Sequence, residues 1–409
     1  MLRRRQVIHG AIGVGAATAG LACRRDPAPL VVPAPVTLSK QPYVQIVGAR
    51  AARLRFETRV DEALTVRLDR GGDRSEVVPT LSPAQVSYER THIEASDVYF
   101  PDYPGLHVVQ EILLDDLDPG ELVSWEVLAD TVVSGSFRAP PAPDAPVRLG
   151  WIADTSWPES ELPAATLAAA SPDVVVHGGD LQYQANPFDS WGGMSHAFSP
   201  VSSRAPIHFA VGNHEFEDGG EIEQMYDRLF LGQGEGMPAT RYFAFSYGGM
   251  RIICLDSETG GLAEPGDEQL PWLEAELAAA SADVTATIVA FHRPVYTLSK
   301  HVPGSTVVRD ALHPLFLAHG VQLVLCGHAH CYERFVVDGV HYVVDGGGGA
   351  LLYDPDEGIE EAEMLRPGES SLRVASDKSR GVTLVDLEGG ALSLTRLDES
   401  GAVIEALDL

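Results

Sequence analysis

The sequence predicts an α/β protein in two folded parts, an all-β sandwich over residues 38–139 and a layered α/β domain over residues 147–409. Three observations carry this reading. Between two proline clusters (Pro27, Pro29, Pro33, Pro35 and Pro140, Pro141, Pro143, Pro146) the chain is a succession of short β-branched or aromatic runs broken by turn residues. After Pro146, continuous apolar runs alternate with stretches whose apolar residues recur at three-to-four spacing. With 409 residues, the chain is also too long for one typical domain.

The N-terminus reads as an address. Met1–Cys23 holds Arg3, Arg4 and Arg5, no acid, and a bland run over Gly10–Ala22 too short and weak to span a membrane. The string Arg4-Arg5-Gln6-Val7-Ile8 resembles a bacterial twin-arginine export signal, which implies a periplasmic, envelope-attached or secreted protein. Gly20-Leu21-Ala22-Cys23 resembles a lipoprotein cleavage site, and cleavage after Ala17-Thr18-Ala19 competes with it. Membrane attachment through a lipidated Cys23 and a soluble product are both open. Residues 24–37 read as a Pro-rich extended tether.

Tyr43–Val47, Ala52–Glu57, Leu64–Leu68, Gln85–Glu94, Leu106–Leu114, Leu122–Ala129 and Val132–Phe137 read as strands, punctuated by turns such as Gly71-Gly72 and Asp118-Pro119-Gly120. About seven short strands in this length fit a β-sandwich that positions and packs but carries no chemistry. In the second part, Arg148–Ala153, Val174–His177, Ile207–Val211, Met250–Leu255, Thr287–Phe291 and Gln322–Cys326 read as buried strands. Leu162–Ala170, Gln269–Ala280 and Val307–His319 read as packed helices, and three strand-like runs from Gly381 close the chain. The acidic segment Leu351–Lys378 reads as a loop or insertion.

Charge narrows the function. Lys+Arg 29 against Asp+Glu 58 gives a net −29, a surface that repels nucleic acid and anionic lipid. An anionic substrate needs a local positive charge, such as a metal ion, to override that field. Beyond Cys23 the cysteines are Cys254, Cys326 and Cys331, which imply no disulfide framework.

The chemistry sits at the ends of the buried strands. One strand runs into Asp154, the next into Gly178-Gly179-Asp180-Leu181-Gln182-Tyr183, and a third into Gly212-Asn213-His214-Glu215. Two more run into His292-Arg293-Pro294 and Gly327-His328-Ala329-His330. In an open α/β sheet such ends share one edge and converge on one crevice. Each residue alone has a bland reading: Asp154 as a cap, Asn213 as a turn residue, Tyr183 as a packed aromatic, and His292 or His208 as a satisfied core histidine. Together, seven O and N donors suit hard or borderline metal ions, and two metals about 3.5–4 Å apart would share a carboxylate, for which Asp180 is the natural candidate.

The strings GGDLQY, GNHE, AFHRP and GHAHCYER resemble those of calcineurin-like metallophosphoesterases, specifically the purple acid phosphatases, over about Val147 to Gly349. The resemblance implies a layered α/β/β/α sandwich preceded by a fibronectin-like β domain. Many metallophosphoesterases begin with Asp-x-His; here the block is Asp154-Thr155-Ser156, and Asp180-Leu181-Gln182-Tyr183 supplies the tyrosine that purple acid phosphatases use instead. Ser156 stands where the family usually has Gly, so it either touches the first metal or fills space.

Carried over residue by residue, the resemblance implies Fe(III) held by Asp154, Tyr183 and His330, a divalent Fe, Zn or Mn held by Asn213, His292 and His328, and Asp180 bridging the two. His214 matches the substrate histidine that protonates the leaving group. His301 lies in Val295–Gly304, which resembles the family's second substrate-histidine region, and a surface histidine is the competing reading. Glu333 and Arg334 complete the family string as supporting salt-bridge residues. The implied activity is hydrolysis of small phosphomonoesters by a metal-bound hydroxide outside the cytoplasm. A phosphodiesterase or nucleotide hydrolase on the same core, and a non-catalytic metal-containing cell-surface protein, are the alternatives.

Overall fold

The computed structural model describes residues 38–86, 105–181, 183, 194–216, 221–235, 241–259, 262, 267–279, 283–302 and 304–409. The export-signal reading of residues 1–23 with Cys23, the tether, Gln182 and residues 87–94 of one expected strand lie outside them. Among the described residues no helix is long and apolar enough to cross a membrane.

Among the described residues, eight strands form before the second proline cluster: β1 (Leu38–Gly48), β2 (Ala51–Thr58), β3 (Val66–Arg70), β4 (Asp73–Val77), β5 (Thr80–Val86), β6 (Gly105–Leu114), β7 (Leu122–Leu128) and β8 (Val132–Arg138). They make two antiparallel four-stranded sheets, ordered β1-β2-β6-β5 and β4-β3-β7-β8. Strand β4 (DRSEV) has no apolar alternation because it is an almost fully exposed edge, paired to β3 across Gly71-Gly72, both at positive φ.

After Pro146 the chain forms β9 (Val147–Ile152), helix α1 (Glu161–Ala169), β10 (Val174–His177), α2 (Ser199–Ser202), β11 (Ile207–Phe209), α3 (Glu221–Phe230), β12 (Phe243–Tyr247) and β13 (Met250–Cys254). It continues through α4 (Gln269–Ala278), β14 (Ala286–Phe291), α5 (Thr306–Ala318), β15 (Leu323–Cys326), β16 (Tyr332–Val337) and β17 (Val340–Asp345). It ends with α6 (Ile359–Leu365), β18 (Arg373–Asp377), β19 (Gly381–Glu388), β20 (Ala391–Asp398) and β21 (Val403–Asp408).

Among the described residues these strands build two sheets, as the layered sandwich implied by the family resemblance requires: a six-stranded one ordered β11-β10-β9-β19-β20-β21 and a seven-stranded one ordered β12-β13-β14-β15-β17-β16-β18. In the first, β9, β10 and β11 are parallel; in the second, β13, β14, β15 and β17 are parallel. Trp151, Val176, Ile252, Leu325 and Val385 are buried in one apolar cluster that also takes in Phe56 and Trp125 of the β-sandwich. A second cluster joins α4 and α5 (Leu273, Leu312, Phe316) to the seven-stranded sheet, and a third joins Leu167 of α1 to Val175, Ile207 and Phe209 of the six-stranded one. Helices therefore cover the outer faces, an α/β/β/α layering.

The loop reading of one segment is corrected. Leu351–Lys378 contains α6, a 3-10 turn (Glu369–Leu372) and β18. Its strand is half-exposed and alternates weakly, so its composition hid it. The hairpin β16–β17 was also not anticipated, although Asp338-Gly339, both at positive φ, is a strong tight-turn signal.

His208 lies in the core, as its bland reading has it. Its ring stacks on Phe245 at 3.8 Å between centroids, and its Nε2 lies 3.1 Å from both the nitrogen and the oxygen of Ile46 in β1. Burial pushes the imidazole down to about 3, against the opposing pull of the Ile46 carbonyl. The folded chain thus needs this ring neutral. Its stabilising contribution is complete above the unfolded value near 6.5 and is lost as pH falls from there toward 3, by about 1.4 kcal/mol per unit. Denaturant unfolding at pH 7 and 4.5 is expected to show a smaller acid loss in His208→Gln than in the parent chain, by roughly 2–3 kcal/mol. Equal losses in both would contradict it.

Candidate metal centre

The parallel strands of both sheets deliver their carboxyl ends to the same place. Asp154 follows β9, Asp180 follows β10, Asn213 and His214 lie in a 3-10 turn after β11, His292 follows β14, and His328 and His330 follow β15. Cross-links between these ends fix the crevice: Asp154 N–H donates to Gly179 O at 3.1 Å and Gly327 N–H to His292 O at 3.0 Å. Three of the residues are held in the left-handed region, Asp154 at φ 58°, Asp180 at 51° and His328 at 68°. Such strain in non-glycine residues persists where surrounding contacts over-determine it, and it clusters at functional sites.

Glycines allow the close approach. A Cβ on Gly212 would strike the Asp180 carboxylate and backbone, and one on Gly327 would strike the Asp154 carboxylate. Each therefore stands where any side chain would push a carboxylate out of the crevice.

One half of the site centres on Tyr183. Its hydroxyl lies 2.5 Å from Asp154 Oδ1, 2.8 Å from Asp180 Oδ2 and 2.9 Å from His330 Nε2. His330 Nδ1 must donate to Leu351 O at 2.8 Å, which leaves its Nε2 lone pair facing this group. Three acceptors thus surround a phenol that has one proton to give. Burial pushes the Tyr183 pKa far up, and the Asp154 and Asp180 carboxylates push it further. The surplus of lone pairs fits a cation.

The other half lies across Asp180. His292 Nδ1 donates to Gly178 O at 2.9 Å, and its Nε2 faces Asp180 Oδ2 and Asn213 Oδ1, each at 3.2 Å. An imidazole lone pair cannot face two oxygens comfortably, so a proton or a metal ion belongs between them. In proton terms, burial lowers the His292 pKa, but Asp180 and Asp154 overcome it and raise it to about 10. Asp180 is held well below the ordinary carboxylate range: burial opposes ionisation, and His292 and His214 outweigh it. Donor atoms of Asp180, His292 and His328 lie within 4.8 Å of one another, the spacing of a shared ion. His214 donates its backbone N–H to Asp180 Oδ1 at 2.8 Å, and its ring lies 4.3 Å from that of Tyr183.

All seven ligand candidates and His214 are therefore brought together. His301 joins them: its ring lies 4.0 Å from that of His328 and 5.6 Å from that of Tyr353. Burial lowers its pKa to about 4, with His330, Lys300 and Arg293 adding to the shift.

Residues 148–332 match the calcineurin-like phosphoesterase family. The probable purple acid phosphatase 20 of Arabidopsis thaliana is 31% identical over 217 residues, which cover 49% of this chain and 49% of that one. Residues 148–332 are thus similar to a calcineurin-like phosphoesterase domain, and the relatives that this part of the chain resembles are purple acid phosphatases. Of solved structures, purple acid phosphatase PPD1 from yellow lupin (Lupinus luteus) seeds has the same fold, with TM-score 0.73 at 19% identity over 90% of this chain and 73% of the other. PhoD shares the fold at TM-score 0.60 and 11% identity, over 90% and 88%. The chain spans about half the length of the curated relatives it matches.

Several residues that support this site were missed in the sequence. Glu215 is buried and accepts from Asp180 N–H (3.0 Å), Leu181 N–H (2.8 Å) and Gly212 N–H (2.6 Å), pinning two strand ends together. Burial and the Asp180 charge push it up to about 8. His177 is buried too; it accepts from Gly179 N–H at 3.2 Å, so its Nε2 carries the proton toward Thr155 Oγ1 at 3.0 Å. Thr155 in turn donates to Leu181 O at 2.9 Å, which ties the Asp154 loop to the Asp180 loop. The run Gly346–Gly349 after β17 passes against Asp154 and Ala153, where Cβ atoms would clash. That glycine run was the available signal; Glu215 was legible only as part of a family string.

Glu333 and Arg334 do not reach the crevice. Glu333 pairs with Arg373 at 3.1 Å and accepts from Thr297 Oγ1 at 2.6 Å, while Arg334 forks onto Glu405 at 2.6 and 3.0 Å. Cys254, Cys326 and Cys331 are buried free thiols.

Proposed function

We propose that the chain is an exported phosphomonoester hydrolase with a binuclear centre. The observation that carries the reading is that Asp180 stands between two donor clusters, Tyr183–Asp154–His330 on one side and His292–Asn213–His328 on the other. The first, with two carboxylates and a phenol, suits Fe(III); the second, with two imidazoles and an amide, suits divalent Fe, Zn or Mn. When bound, the ions would neutralise phosphoryl oxygens and lower the pKa of water.

The chain's own groups do the rest. Gly178 O and Leu351 O orient His292 and His330, and Glu215 and His177 hold the Asp180 turn. His214 is positioned by its backbone bond to Asp180, with its side chain partly exposed toward the crevice mouth. In this reading it gives a proton to the leaving oxygen, and His301 steadies the phosphoryl group.

A hydrolysis assay with a chromogenic monoester and diester tests the reading: monoester turnover is expected to exceed diester turnover, and turnover of neither overturns it. His214→Ala should keep both metals and lose about 10²–10⁴-fold in turnover on esters with poor leaving groups. It should lose far less on good leaving groups, which need little protonation. Equal losses would leave only a positioning role. Export rests on Arg4-Arg5, and Arg4→Lys/Arg5→Lys is expected to leave the protein in the cytoplasm, because a guanidinium pair differs from two ammonium groups. Normal export of that variant removes the twin-arginine argument.

A further inference from the structure

One wall of the crevice carries positive groups that the hydrolytic reading does not use. Arg293 follows His292 directly. Its Nε donates to Glu258 Oε2 at 2.8 Å, its backbone N–H donates to Ser257 Oγ at 3.0 Å, and its Nη1 reaches to 3.2 Å from His328 Nε2. The Glu258 carboxylate is buried and grips the Nε edge, so the guanidinium fork projects to the crevice, with the side chain 42% exposed. Glu258 aligns the arginine without capping its far end.

Lys300 immediately precedes His301, whose ring neighbours that of Tyr353. Its Nζ sits 4.4 Å over the ring of Tyr353, and that ring stacks on His330 at 4.1 Å and 15°. The Tyr353 N–H donates to His330 O at 2.9 Å, so this aromatic is fixed to the metal-bearing loop. Lys300 is exposed and forms no ion pair among the described residues. His301 lies in the field of both Lys300 and Arg293. In a chain with 29 cationic side chains against 58 acids, two that lie against His328 and Tyr353, the two rings that neighbour the substrate-histidine candidate His301, form a local anion-attracting rim.

Building on the phosphoesterase reading, we propose that Arg293 and Lys300 form a second anion subsite, so that the preferred substrates carry a further phosphate on the leaving group. Nucleoside diphosphates and bisphosphorylated small molecules belong to this class. In the step itself, water adds its OH to the terminal phosphorus and the P–O bond to the leaving group breaks. The electron pair and one proton depart with the phosphorylated leaving group. The guanidinium fork and the ammonium hold the distal phosphate while this happens.

The test uses the full metal-loaded protein. Calorimetric titration compares methylenediphosphonate with methylphosphonate, and kinetics compare ADP with phenyl phosphate. The parent chain should bind the diphosphonate about tenfold or more tightly than the monophosphonate. The double variant Arg293→Gln/Lys300→Gln should lose that preference, and its kcat/KM should fall about tenfold or more further on ADP than on phenyl phosphate. Lys300→Gln alone, at an exposed position, should show part of the same selective loss, and Arg293→Lys should retain part of the preference. Equal losses on both substrates, or an unchanged ratio, would overturn the subsite. If no ester is hydrolysed but the diphosphonate preference is present and lost in the variants, the subsite stands and the hydrolytic reading falls. If phenyl phosphate turns over without any diphosphonate preference, the reverse holds.

Discussion

Asp180→Asn is expected to lower kcat/KM on a phosphomonoester by at least about 10³-fold while the chain stays folded. The variant suits the backbone, because Asn tolerates the left-handed conformation that Asp180 adopts at φ 51°. The Glu215 bond to the residue 180 N–H is a backbone contact and survives, and an amide oxygen can still accept from His214 N–H. Only the negative charge goes. That charge faces Tyr183 on one side and His292 on the other, 2.8 and 3.2 Å away, so its loss removes the link between the two donor clusters. Metal content should fall from about two equivalents toward one, with an unchanged circular dichroism spectrum. A variant that keeps both metals and activity within tenfold would show that Asp180 does not bridge.

Tyr183→Phe is the second large effect. The ring packs between His214 and His330, at centroid distances of 4.3 and 5.0 Å, and Phe keeps those contacts. What is lost is one oxygen on which Asp154, Asp180 and His330 converge. Burial and the two carboxylates hold this hydroxyl protonated in the absence of a strong cation, so a phenolate here is itself evidence of a high-valent ion. The variant should fold, lose any ligand-to-metal charge-transfer band and bind iron at least about a hundredfold more weakly, since even outer-shell changes cost 10–100-fold. Undiminished iron affinity would return Tyr183 to a packing role. Asp154→Asn should weaken the same ion but leave the phenolate, so colour is expected to return under excess iron.

The donors were legible because they cluster at the ends of short apolar runs, several of them beside a glycine or a second donor, as in Gly178-Gly179-Asp180 and Gly212-Asn213-His214. Buried strands announce themselves by continuous apolar character, and β10 and β14 do so plainly. Their division between two sheets was not legible from periodicity, since a run buried on both faces looks alike in either sheet. Strand β4 escaped because an exposed edge needs no apolar face. The bracing residues escaped for a different reason. Glu215 and His177 act through bonds to backbone N–H groups of other strand ends, and nothing in their own neighbourhoods reports those partners. Arg293, Lys300 and Tyr353 come together only because the segment after β17 folds back over the Ser299 and His330 loops. His301, by contrast, was flagged from the sequence with a surface role in competition, and the fold sets its ring against His328.

Metal analysis combined with a visible absorption spectrum of the purified, oxidised wild-type protein tests the binuclear ferric-tyrosinate centre most directly. The expected result is iron together with a second equivalent of iron, zinc or manganese, and a broad visible band giving a purple or pink colour that disappears in Tyr183→Phe. A protein that is fully iron-loaded and oxidised yet colourless would contradict it, leaving a generic two-metal phosphoesterase in which Tyr183 is a packed aromatic.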